Sequence, residues 1–210
     1  MGVISLDRPP LLDWGVASAA LAGQRESGDL HLVRESSTGC LAAAVDGLGH
    51  GMEAAVAARR AVASLAAHQD ETVIAMVRSC HRELAGTRGV TMSLAVFNAL
   101  DDTMTWLAIG NVEGVLLRAD PRSSRPMESI LMRAGVVGLD LPRLQASVTA
   151  VSPGDLVVLA TDGLRRDFVD LLHPADAPQT LADRVLRRHA KGTDDALVLV
   201  ARYRGREGHP

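Results

Sequence analysis

Apolar positions along this chain recur with two different periods. Leu11 to Leu21 alternates loosely and predicts a first strand, and "DLHLVRE", Asp29 to Glu35, alternates cleanly and predicts a second. A polar turn at Gly23 to Gly28 separates them. The run "CLAAAV", Cys40 to Val45, is apolar or small at every position, as expected of a strand buried on both faces. Met52 to Ala67 is alanine-rich and predicts a helix with Arg59 and Arg60 on its wet side. Asp70 to Leu84 predicts another, with Val73, Ile74, Val77 and Leu84 forming one apolar stripe. Glycine in "RELAGTRG" ends it.

The period then shortens. Val90 to Ala99 and Thr103 to Gly110 read as a hairpin about an Asp101-Asp102 turn, followed by the strand "EGVLLRA". The loop "DPRSSRP" leads to "MESILMRA", "QASVTAV" and, after a Pro153-Gly154-Asp155 turn, "LVVLAT", each predicted as a strand. A short helix after Gly163, a longer one from Ala177 to Ala190 and the strand "ALVLVARY" close the order. Hairpins dominate and regular βα alternation is missing. This order predicts an α+β fold: two mainly antiparallel sheets packed face to face and flanked by helices, a four-layer α/β/β/α sandwich. Residues 1–210 are expected to form a single domain.

Composition narrows what the fold can do. Hydrophobic residues make up 47% of the chain but aromatic residues 2%, so the core must be built from Val, Leu, Ile and Ala. So few aromatics provide no base-stacking platform. With a net charge of −3 and scattered basic residues, no nucleic-acid partner is expected. Cys40 and Cys80 lack metal-type spacing and read as reduced thiols. The opening "MGVISLDRPPLLDW" lacks the regions of a signal peptide, and Leu6 breaks the myristoylation pattern. No apolar run approaches the ~18 residues needed to span a bilayer. A soluble, cytoplasmic protein without membrane partners is the expectation.

The chemistry gathers at acidic residues. Two apolar runs end on Asp-Gly, at Asp46-Gly47 in "LAAAVDGLGHG" and at Asp162-Gly163 in "LVVLATDGL". Neither joins two alternating strands, so neither is a hairpin turn. Asp46 lies too far ahead of its helix to cap it, whereas capping remains open for Asp162. Asp29 opens the second strand, and Asp194-Asp195 directly precedes the last. Four carboxylate positions therefore stand at the mouths of strands. Hard divalent cations take oxygen ligands of this kind. A glycine beside a ligand lets a backbone carbonyl approach the ion. A dication would also relieve the repulsion between clustered aspartates.

At these residues the sequence resembles a known family. "AVDGLGHG", "GVTMSLAVF", "LAIGNVEGVLLR", "GDLVVLATDGL" and "TDDALVLV" occur in the order seen in the metal-dependent serine/threonine phosphatases of the PPM, or PP2C, type. The likeness runs from about Gly15 to Tyr203. It is nearest the bacterial branch that includes the sporulation stage II protein E phosphatase and the stress-regulator phosphatases, and within it the RsbX group. The resemblance implies the same four-layer sandwich and a centre of two Mn²⁺ or Mg²⁺ ions. It implies Asp46 as the bridging ligand, Gly47 as a carbonyl donor, Asp162 and Asp194 as ligands of the second ion, and Asp29 as a weaker or water-mediated one. Asp194 is preferred over Asp195. Phosphomonoester hydrolysis by a metal-bridged hydroxide would follow.

Some positions depart from that pattern. Leu48 stands where some relatives place a histidine acid. His50 is the nearby candidate for that catalytic role, with a structural place in "GHG" as the alternative. No arginine matches the phosphate-gripping residue securely, and Arg25 reads as a solvated turn residue, so the substrate-binding set is not identified. Asn111 in "IGNVEG" reads as a turn residue, with contact to substrate as the alternative. His31, His68, His81, His173 and His189 read as solvated, and Trp14 and Trp106 as core or sheet-face residues. The expected activity is a phosphoserine/phosphothreonine protein phosphatase acting on phosphorylated STAS-domain proteins of a bacterial stressosome. The alternatives are a partner-binding module of weak catalysis and a small-molecule phosphomonoesterase of the same fold.

Overall fold

The computed structural model describes residues 10–205. The expectations about a signal peptide and myristoylation fall largely on residues outside that range.

Eleven strands among the described residues form two sheets. The first has the order β1-β11-β10-β6-β7, built from β1 (Leu12–Ala19), β11 (Ala196–Tyr203), β10 (Leu156–Ala160), β6 (Glu113–Leu117) and β7 (Met127–Ser129). The second has the order β2-β3-β4-β5-β8, built from β2 (Asp29–Glu35), β3 (Gly39–Gly47), β4 (Val90–Asn98), β5 (Thr103–Ile109) and β8 (Met132–Arg133). β9 (Ser147–Ala150) pairs with the outer edge of β5 ahead of β8. Every pairing is antiparallel except β5 with β8. The helices α1 (Met52–Ala67) and α2 (Val73–Glu83) cover the second sheet, and α3 (Pro178–His189) with a 3₁₀ turn at Arg166–Leu171 covers the first.

Three apolar cores correspond to the three interfaces of this stack. The middle one joins the sheets through residues such as Ala42, Ala95, Leu116, Leu159 and Leu199. There Phe97 of β4 stacks on Tyr203 of β11, with ring centroids 5.7 Å apart and planes 11° apart. Small side chains set the spacing on the outer side. Ala54, Ala57, Ala58 and Ala61 of α1 are fully buried against β3. A Cβ on Gly47 would fall on the Ala54 carbonyl, so that glycine lets the helix start close beneath the end of β3. On the outer edge of β1 one side chain engages the backbone of Val16: Gln179 accepts from Val16 N at 3.1 Å and donates to Val16 O at 2.9 Å. That occupies one pairing position of the exposed edge.

The predicted α+β four-layer sandwich is the fold observed, with some local differences. "MESILMRA" is not one strand. It breaks at buried Ile130, and its halves join different sheets. Trp106 lies in the core and Trp14 is exposed on a sheet face, tilted against His31 at 5.7 Å. Not all of the histidines are solvated. His189 is buried, with Nδ1 2.9 Å from Asp167; His81 accepts from Gly138 N at 2.9 Å; and His68 lies between Glu71 and Glu83. A histidine on a helix pattern can face a neighbouring loop, and periodicity carries no trace of that. Cys40 and Cys80 are buried free thiols, and burial pushes both up to about 12, so neither is a thiolate nucleophile. Among the described residues no helix is long and apolar enough to cross a membrane.

Candidate metal centre

Strand register brings the acidic positions to one end of the sandwich. Asp29, first in β2, and Asp46, next to last in β3, are direct cross-strand partners in the second sheet. Asp162 follows the end of β10, and Asp194-Asp195 precedes β11, its antiparallel neighbour in the first sheet. The two sheets meet here: Thr161 Oγ1 donates to Asp29 Oδ2 at 2.7 Å and accepts from Leu197 N at 2.8 Å.

The carboxylates feel one another. Burial pushes Asp29 up to about 7; the Thr161 hydrogen bond opposes this, and the charges of Asp195, Asp162 and Asp194 add to it. Burial likewise pushes Asp46 up to about 8, reinforced by Asp29, Asp162 and Asp194. Among the described residues, no ion pair reaches Asp29, Asp46, Asp162 or Asp194. The four carboxylates are thus not ion-paired with any side chain among the described residues.

Its members do different work. Asp195 is fully engaged, accepting from Leu21 N at 2.7 Å and Gly28 N at 2.6 Å, so it holds the 21–28 turn against the site. Asp194 accepts from the Asp195 amide through Oδ1 at 2.9 Å, and no other hydrogen bond reaches its carboxylate among the described residues. Gly47 donates its amide to Gly28 O at 3.0 Å. His50 is exposed, with Nδ1 3.3 Å from Gln24 Nε2, and bonds none of the four carboxylates. Arg25 is exposed in the turn. Neither Asp-Gly aspartate caps a helix: the residue before α1 is Gly51, the residue before the 3₁₀ turn is Arg165, and neither end has a side-chain cap.

Three participants escaped sequence inspection. Asn111 is no simple turn residue. Its Oδ1 accepts from Thr91 Oγ1 at 2.6 Å and its Nδ2 donates to Asp162 Oδ2 at 2.6 Å. Thr91 sits opposite Asp46 in the β3–β4 register, its Oγ1 3.4 Å from Asp46 Oδ2. The single Thr91 proton goes to the nearer Asn111, so Thr91 and Asn111 bond each other, Asn111 bonds Asp162, and Thr91 lies beside Asp46, which links the two sheets at this end. The third is Lys191, the chain's only lysine. Its ammonium donates to the Asp162 carbonyl, and its amide donates to Gly163 O at 2.9 Å.

This set suits a hydrated hard dication. The donors are all oxygens, and two of them are buried carboxylates whose ionisation is opposed by their neighbours. Among the described residues, no three His, Cys, Asp or Glu side chains gather tightly enough to hold an ion by themselves. Mg²⁺ keeps several waters and binds through one or two carboxylates rather than an all-protein cage, so an open arrangement is what it requires.

Comparison with known proteins agrees with this geometry. Residues 36–204 match the family model described as stage II sporulation protein E. No curated protein matches the chain. Among solved structures, one described as "The bacterial stressosome: a modular system that has been adapted to control secondary messenger signaling" is 28% identical with a TM-score of 0.83, covering 91% of this chain and 99% of that one. RsbX in complex with magnesium is 19% identical with a TM-score of 0.80, covering 91% and 95%. The PP2C phosphatase domain of SpoIIE from Bacillus subtilis, with a fragment of its regulatory domain, is 20% identical with a TM-score of 0.75, covering 93% and 64%. At these last two identities the likeness is one of fold.

Two predictions follow from the electrostatics and the bridging network. Because Asp29 and Asp46 titrate near 7 and 8 in the fold but near 3.8 when unfolded, the folded state binds more protons in between. Their contribution is fully present below pH 3.8 and falls as pH rises, the loss being complete once pH has passed 7 and 8. The melting temperature of metal-free protein should carry that downward component, which Asp46→Asn reduces to the Asp29 share and excess Mg²⁺ or Mn²⁺ offsets most at the alkaline end. Asn111→Ala should lower divalent-ion affinity about 10–100-fold, the usual cost of removing an outer-shell partner. Calorimetric titration with Mn²⁺ checks this.

Proposed function

The chain belongs to the stage II sporulation protein E family and has the PP2C-type phosphatase fold, and from that premise we propose that it is a divalent-metal-dependent phosphatase of phosphoserine and phosphothreonine in proteins. The observation that carries this is the set of carboxylates delivered from strand ends of both sheets, none of them ion-paired among the described residues. Asp46, the Gly47 carbonyl, Asp29, Asp162 and Asp194 are the groups that would hold two ions, Mn²⁺ or Mg²⁺. When bound, such ions supply Lewis acidity towards water and neutralise charge on a phosphoryl group, which is most of what phosphoryl transfer needs.

The chain's own residues fix the frame for that chemistry. Thr91 and Asn111 hold Asp46 and Asp162 in register across the two sheets. Lys191 pins the backbone of the Asp162-Gly163 turn from the loop that leads to Asp194 and β11. Asp195 anchors the turn whose Gln24 reaches His50. We place the substrate in bacterial stress signalling, as a phosphorylated STAS-domain protein. The likeness to RsbX and to the stressosome-associated structure supports that choice.

Purified protein with Mn²⁺ or Mg²⁺ should hydrolyse p-nitrophenyl phosphate and a phosphorylated STAS-domain protein. Chelation or Asp46→Ala should reduce both to background while circular dichroism stays native. If neither substrate turns over with either ion, the proposal fails. His50→Asn separates the two places open to that residue. A proton donor to the leaving group would be needed for an alkyl phosphate but hardly for p-nitrophenolate. A selective loss on phosphoserine substrates therefore marks an acid, and unchanged turnover on both marks a structural residue.

A further inference from the structure

The face beside Asp46 carries apolar side chains that the core does not use. Leu48, Met52 and Leu139 are 43%, 75% and 56% exposed. They come from different segments and meet around the strip Thr87–Gly89. Leu48 N donates to Gly89 O at 3.1 Å, and a Cβ on Gly89 would lie 3.3 Å from Leu139 Cγ. Met52 faces the same strip across a cavity of about 460 Å³ that also takes in Val56, Arg60 and Arg88. Single exposed apolar residues are ordinary, but several gathered at the mouth of a site mark a contact surface.

Charge around this cavity has one sign left over. Arg88 pairs with Glu53, the carboxylate on the cavity wall, and leans over Gly49 in the loop that follows Asp46-Gly47. Arg60 is exposed and makes no ion pair among the described residues. The apolar groups form an open collar next to the carboxylates, unlike the enclosing pocket that buries a small ligand. An apolar patch with a polar, charged rim is the anatomy of a protein-recognition surface.

We propose that this collar docks the polypeptide flanking the phosphorylated residue: a segment with apolar side chains that cover Leu48, Met52 and Leu139 and an acidic residue that reaches Arg60. This rests on the phosphatase reading above and adds the surface that recognises the residues flanking the phosphorylated one, apolar and acidic side chains. The loop 48–51 links the two functions physically, since its first residue belongs to the collar and Asp46-Gly47 immediately precedes it.

Three substrates test it with Mn²⁺ present: p-nitrophenyl phosphate, a synthetic phosphoserine peptide flanked by leucine and glutamate, and the same peptide flanked by glycine and serine. The wild type should favour the leucine–glutamate peptide over the glycine–serine one about tenfold or more in kcat/KM. Met52→Ser with Leu139→Ser should erase that preference through KM, leaving kcat and p-nitrophenyl phosphate turnover unchanged. Arg60→Glu should lower kcat/KM on the acidic peptide alone. Equal rates on both peptides, or a uniform loss on all three substrates in the variants, overturns the docking surface. No turnover of any of the three overturns the phosphatase reading, and the docking surface with it.

Discussion

Repulsion between carboxylates is the constraint to which the rest of this molecule answers. Asp29 and Asp46 face each other across one strand pair, with Cβ atoms roughly 5 Å apart. Asp162 and Asp194 approach from the other sheet, and burial removes much of the water that would screen Asp29 and Asp46. A chain left to relax would splay these strand ends. It is held by the apolar interface between the sheets and by Thr161 and Asn111, which bond carboxylates without neutralising them, Thr91 in turn bonding Asn111. The fold stores an unmet demand for positive charge at one end.

The far end is built on the opposite principle. There Arg118 donates to Glu128 at 2.6 Å, to Asp155 at 3.0 Å and to the Ala150 carbonyl at 2.7 Å, while Asp155 also accepts from Ala119 N at 2.8 Å. Tyr203, stacked on Phe97, donates its hydroxyl to Asp102 at 2.5 Å. There the Arg118 guanidinium lies between two carboxylates, and a neutral hydroxyl serves the third. A sandwich with paired charges at one end and like charges at the other is rigid where it need only be stable and polarised where a ligand is to arrive. The alanine-rich contact of α1 with β3, and Gly47 within it, ties the two conditions together by seating a helix directly under the acidic end.

Most of the architecture was legible because it depends on local pattern. The helix Met52–Ala67 and the strand Asp29–Glu35 follow from composition and alternation alone, and the acidic strand ends followed from noticing which Asp-Gly pairs could not be hairpins. What escaped notice acts across the sheet interface. Threonine is a favoured strand residue for reasons of shape, so Thr91 and Thr161 give no sign that their hydroxyls serve neighbouring aspartates. Asn111 follows a glycine, the ordinary signature of a turn, and its amide is nevertheless the link between two sheets. The break in "MESILMRA" was hidden for a related reason: alternation does not report which sheet a strand will join. Asp194 and Asp195 are chemically identical neighbours, and what distinguishes them is which backbone amides surround each one in three dimensions.

The chain has 21 arginines and one lysine, and that lysine stands on the Asp162 turn. Guanidinium groups ignore the acylating reagents that attack amines, so within this sequence Lys191 is the one side chain that carboxyl-activated labels and sensor-surface coupling can take. Conjugation at the side chain would remove its charge and crowd the acidic mouth. A biotin tag or fluorophore attached by amine chemistry is therefore not neutral here, and attachment through an engineered surface cysteine leaves that mouth open.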